Sequence, residues 1–142
     1  MAGERVRITV DEPYLTALGQ CLFIFAELEW NAVWCGERLA NGFLGTADGK
    51  TAGAIGADLA PLVEALAFGG VRDRCIAAVS EFRRLVRVRN TIMHAQPCTA
   101  PLGEQRLTRD GALWSIEELN TAADEFATCS IELNDLFHHW LP

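Results

Sequence analysis

The chain has 142 residues, half of them hydrophobic, and a net charge of -7. That length suits one domain with one core, so residues 1–142 are read as a single helical domain. The acidity argues against generic nucleic-acid binding through a basic surface, though not against a local basic site. There is no charge-free apolar run of 18 residues, so no membrane partner is expected. The amino-terminal MAGERVRITVDEP lacks the apolar segment of a signal peptide, and the cytoplasm is the default location.

In chain order, Val6, Ile8 and Val10 alternate with Arg5, Arg7 and Thr9, the pattern of a short strand or extended arm. Asp11 can cap the following helix, with Pro13 in its first turn. That first helix runs to about residue 44, with Leu15, Leu18, Leu22, Phe25, Ala26, Val33 and Trp34 as its stripe, and Gly42 and Gly45 mark its end. A polar loop precedes a second helix over residues 54–66, in which Pro61 either kinks the helix or starts its main part. The third helix covers residues 71–94, with Cys75, Val79, Phe82, Leu85, Val86 and Ile92 repeating every three or four positions. Residues 95–103 read as loop. Residues 106–114 carry Asp110-Gly111, a hairpin signal. The fourth helix opens with Ser115 and Glu118 as a capping box, and Trp114 with Leu119 as a staple. It continues through Phe126, Ile131 and Leu136 to about residue 140. The fold class expected is all-α: an antiparallel four-helix bundle with a possible small β-hairpin or strand appendage.

The third helix ends in unusual chemistry, VRVRNTIMHAQP. Counting from Cys75, Arg89 falls on an inward position. A guanidinium there keeps its proton and needs partners. Glu29 falls on the inward stripe of the first helix, so a Glu29–Arg89 pair is expected across the bundle, either as a structural ion pair or as part of a site. Asn90 and His94 share one helix face, and Arg87 adds positive charge there. Arg89 and His94 are five apart, about 140° around an ideal helix. A second copy related by a two-fold axis would double the set around a shared cleft.

Between residues 70 and 94 stand six arginines against Asp73 and Glu81, a net of +4 in a chain that is otherwise at -11. This suits an anionic ligand. The alternative is neutralisation by the acidic fourth helix, which carries Glu117, Glu118, Asp124, Glu125, Glu132 and Asp135.

RNTIMH, at the end of a bundle helix, resembles the signature of HEPN domains, in which Arg is followed by four to six residues and His, often with a polar residue after the Arg. The order of elements is similar too: a long aromatic-rich first helix containing FAELEW, the motif helix, then a last long helix after a loop. The resemblance implies a metal-independent endoribonuclease that cleaves single-stranded RNA as a homodimer, in toxin–antitoxin or phage-defence systems. A non-catalytic dimer that binds nucleotide or a partner protein is the alternative. Carried over, Arg89 and His94 would be catalytic and Asn90 supporting, with no cofactor or metal. Glu29, orienting Arg89, and Arg87, binding phosphate, are readings of the residues alone. An imidazole ordinarily titrates near neutrality and can move a ribose 2′-OH proton, while a guanidinium can hold the phosphate. An antitoxin protein is a further partner of that setting. Some HEPN proteins carry a modifiable tyrosine two residues after the His. Here Gln96 occupies that place, and the chain's single tyrosine is Tyr14.

Other groups read as structural. The five cysteines are widely spaced and include no CxxC pair, which suits reduced buried thiols, with Cys98 in a loop. His138 and His139 point about 100° apart and make poor joint metal ligands. Trp30, Trp34, Trp114 and Trp140 suit core and dimer seam.

Overall fold

The computed structural model describes residues 8–142. The expected strand over residues 5–10 lies in part outside the described residues, and Ile8 to Val10 form no strand. Five helices and one small sheet follow: α1 (Glu12–Leu39), α2 (Phe43–Ala47), α3 (Ala52–Glu64), α4 (Gly70–Met93), β1 (Gln96–Thr99), β2 (Gln105–Arg109), β3 (Ala112–Trp114) and α5 (Ile116–Asp135). A π turn, Leu136–Trp140, ends the helical region. The chain is thus a helical bundle with a β appendage. α1 packs most extensively on α5, and α3 on α4.

Local chemistry accounts for the boundaries. The Asp11 carboxylate accepts from the Tyr14 N–H at 3.2 Å, and Pro13 sits in the first turn, where its missing donor does no harm. α1 stops at Leu39, short of the expected residue 44. Ala40 leaves the helix in an extended conformation, and Gly42, at φ 92° in the left-handed region, is the N-cap of the five-residue α2. Glu37 holds this corner, accepting from the backbone N–H groups of Gly42 at 3.1 Å and Leu44 at 2.7 Å. Phe43 then packs against Gly36, so closely that a Cβ at Gly36 would collide with its ring. α3 begins two residues earlier than expected because Thr51 caps the N–H of Ala54, and Pro61 is accommodated inside the helix. At α5, both bonds of the Ser115–Glu118 capping box are present at 3.0 Å.

The α4 stripe is buried as its periodicity predicts. The α1 stripe is buried only in part: Phe25 and Val33 lie in the core, Leu18, Leu22 and Trp34 are half-buried, and Leu15 and Ala26 are exposed. The core face is completed by Tyr14, Ala17, Cys21, Leu28, Ala32 and Cys35. α1 carries apolar residues on both faces, so spacing alone could not choose between them. Ile131 of α5 also faces outward, because five residues from Phe126 is 140° around the helix.

The hairpin expected at Asp110-Gly111 forms, with φ of 52° and 80° at the two turn residues. β1 adds a third antiparallel strand where loop was expected, Cys98 facing Arg106 across the ladder and Leu107 facing Trp114 across the next. Pro97 sits on this edge strand, where a missing donor is tolerated. Tyr14 fastens the sheet to the bundle: its hydroxyl donates to the Trp114 carbonyl at 2.8 Å and accepts from the Leu107 N–H at 3.0 Å. Arg106 lies over the Tyr14 ring and pairs with Asp11.

Candidate functional site

The core stripe of α4 ends at Ile92, which is buried. Beside it, Arg89 is an intermediate position and Met93 is exposed. Arg89 and Met93 line an open cavity of about 700 Å³ together with Glu29, Trp30, Lys50 and Phe25. Arg89 is half-buried, as the inward stripe predicts. Its guanidinium carbon stands 4.6 Å from the centroid of the Phe25 ring. The Nε is buried and has no hydrogen-bond acceptor among the described residues.

The expected Glu29–Arg89 ion pair does not form. Both side chains line the cavity, yet among the described residues Arg89 joins no salt bridge. The physical reason is the open cavity: Glu29 lines it half-exposed, so its carboxylate can be solvated without a cationic partner, and the arginine stands over the Phe25 ring instead. Phe25 is thus the partner that spacing arguments missed. Its signal was its place one turn before Glu29 on the same helix.

His94 caps α4 with φ -99° and ψ 8°. Its backbone carbonyl accepts from Arg109 Nη1 at 2.8 Å, which pins the turn from helix to sheet, and its imidazole is exposed. Asn90 and Arg87 are exposed as well. Arg87, Asn90 and His94 share the outer face of α4, whereas Arg89 points to the cavity on the other side. The fold does not bring Arg89 and His94 to one point within a single chain.

The arginines of α4 divide into two groups. Arg74 pairs with Glu132 at 2.9 Å and Asp135 at 3.0 Å. Arg84 pairs with Glu81 at 2.7 Å and Glu125 at 3.0 Å. The acidic α5 therefore neutralises these two, as one of the sequence alternatives held. Arg72, Arg83, Arg87 and Arg89 join no salt bridge among the described residues; Arg72 donates to the Glu64 carbonyl at 3.1 Å and lies over the Phe68 ring.

The remaining candidates behave as structural groups. Cys21, Cys35, Cys75 and Cys129 are buried thiols, and Cys98 is half-buried on β1 rather than in a loop. His139 contacts Asp135 at 3.0 Å. Trp34 packs edge-on against Trp30 and Phe137. None of the four tryptophans is fully buried, and Trp30 and Trp140 are about half exposed and so lie outside the core. Among the described residues, no cluster of three His, Cys, Asp or Glu side chains could hold a metal ion, and no helix is long and apolar enough to cross a membrane.

No family model, no curated protein and no solved structure matches the chain.

Proposed function

We propose that this protein is a metal-independent endoribonuclease of the HEPN type, cleaving single-stranded RNA as a homodimer in a toxin–antitoxin or phage-defence setting. The observation that carries the reading is Arg89: its side chain lines an open cavity, and its Nε is buried without a hydrogen-bond partner among the described residues. An unsatisfied charged donor costs at least ~1–3 kcal/mol, and an anion entering the cavity would satisfy it. RNTIMH supplies the second group, an exposed imidazole one turn further on.

In the reaction, His94 accepts the proton of a ribose 2′-OH, and the 2′-oxygen attacks the adjacent phosphorus. The P–O5′ bond breaks, the 5′-oxygen takes up a proton, and the products are a 2′,3′-cyclic phosphate and a 5′-OH. Arg89 stabilises the added negative charge on the phosphorane. Since the two side chains diverge within one chain, Arg89 of one protomer serves the His94 of the other. Exposed Trp30 on α1 and Met93 on α4 line the cavity, and with exposed Phe23 elsewhere on α1 they supply apolar area for the dimer. An antitoxin protein would act by covering this cleft.

Purified protein incubated with single-stranded RNA in EDTA should yield cyclic-phosphate ends. His94→Ala and Arg89→Ala should lose cleavage while keeping the wild-type circular dichroism spectrum. Undiminished cleavage by His94→Ala would remove the catalytic assignment. The divergence of Arg89 and His94 favours one second reading, a non-catalytic dimer that binds nucleotide or RNA near Arg87 and Arg89. It predicts binding without cleavage by the wild type.

A further inference from the structure

Cleavage at His94 would need a path by which RNA reaches it. Five residues on the outer face of α4 lie at spacings of three and four: Ser80, Arg83, Arg87, Asn90 and His94. All five are exposed. On an ideal helix they fall within an arc of about 80°. From Arg83 to Arg87 the axial rise is about 6 Å, and from Arg83 to His94 about 17 Å.

Two observations separate this face from ordinary surface charge. The first is selective pairing. Arg74 and Arg84 are held by carboxylates of α4 and α5, yet Arg83 and Arg87 join no carboxylate among the described residues, in a protein with seven more acidic than basic residues. The second is a built cradle. The Arg83 stem crosses α3 at Gly56, where a Cβ would stand 2.8 Å from Arg83 Cγ. Gly56 is buried, so α3 and α4 approach closely there and the Arg83 stem packs against α3, while the residue as a whole stays exposed. Ser80, Arg83 and Arg87 line a groove of about 390 Å³ between the two helices. Glu64 is the one carboxylate on its wall, across from the arginines on the α3 side.

We propose that this face of α4 is a track for the phosphodiester backbone of single-stranded RNA, Arg83 and Arg87 holding successive phosphates and Ser80 and Asn90 bonding the backbone as it runs to His94. The inference rests on the ribonuclease reading for the identity of the strand, and on the arginine geometry for the site. Glu64 repels phosphate, which confines the strand to the α4 side of the groove.

The test is the salt dependence of binding to a fluorescent 2′-O-methyl RNA, which lacks the attacking hydroxyl and cannot be cleaved. Each lost phosphate contact should reduce the slope of log K against log salt by about 0.7 for a single strand. Arg83→Ala and Arg87→Ala should each show that reduction. Arg84→Ala changes the net charge equally and should leave the slope at the wild-type value. Arg83→Lys, which keeps the charge, should retain most of the slope and guards against loss of fold in the alanine variant. Wild-type slopes in Arg83→Ala and Arg87→Ala, an equal loss in Arg84→Ala, or no binding by the wild type at 50 mM salt would each overturn the track. Parallel cleavage of unmodified RNA separates the two ideas. Cleavage with unchanged slopes removes the track and keeps the ribonuclease. Reduced slopes without cleavage keep the track and remove the catalysis.

Discussion

The Arg89 guanidinium rests 4.6 Å from the centre of the Phe25 ring, on a position where α4 otherwise buries aliphatic and aromatic side chains. A cation over an aromatic face contributes ~0.5–1 kcal/mol near a surface. A buried N–H without an acceptor costs ~1–3 kcal/mol. The second outweighs the first, so the arginine is a net liability to the free protein.

Arg89→Met should therefore raise stability, by about 1 kcal/mol, while abolishing anion binding in the cavity. Urea denaturation checks the sign, and a loss of stability above ~1 kcal/mol contradicts it. A double-mutant cycle with Glu29→Gln should give a coupling below ~0.5 kcal/mol, since the two side chains form no ion pair.

Tyr14→Phe deletes one hydroxyl that serves two strands. The Trp114 carbonyl and the Leu107 N–H both lose a partner in a partly buried setting. The expected loss is ~1–3 kcal/mol. Hydrogen exchange should localise it to β2 and β3, with α4 and α5 retaining protection. Uniform loss across the bundle would contradict the view of Tyr14 as the fastener of the sheet.

Several carboxylates titrate below their ordinary values. A hydrogen bond from Arg106 lowers Asp11, the backbone N–H groups of Leu44 and Gly42 lower Glu37, and Arg84 and Arg74 lower Glu81 and Asp135. A depressed folded-state pKa means that the stabilisation is complete above the ordinary value, 4.5 for Glu and 3.8 for Asp, and is lost as pH falls through the folded value. Stability should hold level at neutral pH and decline below 4.5. Arg74→Gln should flatten the part of that decline below 3.8. An acid limb identical to wild type would show that the Arg74 contact is not formed in solution.

Burial pushes the thiols of Cys35 and Cys129 up to about 12 and that of Cys21 up to about 11, and it raises Cys75 as well. The reactive form is the thiolate, so these four should resist Ellman's reagent in the native state. Half-buried Cys98 should react first, and all five should react in denaturant. Fast labelling of two or more native thiols would contradict the packing of α1 against α5.

Much of the fold is legible in the chain because its signals are local. Ser115 and Glu118 satisfy each other across three residues, Asp11 caps the turn it precedes, and Asp110-Gly111 turns a hairpin through left-handed conformations open to those residue types. The α4 stripe is equally clear, since its opposite face is charged. α1 defeats the same reasoning, because Leu15, Phe23, Ala26 and Trp30 make its outer face apolar too. β1 escapes notice because a four-residue edge strand containing Pro97 has no periodicity to read and gains its order from pairing with β2.

Sequence by itself determined where the chemistry sits along the chain: Arg89 on an inward position, and Asn90 and His94 on another face, because 100° per residue follows from the helix alone. Tertiary structure alone decided which charges remain available. Whether a guanidinium meets a carboxylate, a ring or open space depends on the helix packed opposite. That choice gave Arg74 and Arg84 to the acids of α4 and α5, laid Arg89 on Phe25, and left Arg83 and Arg87 facing solvent.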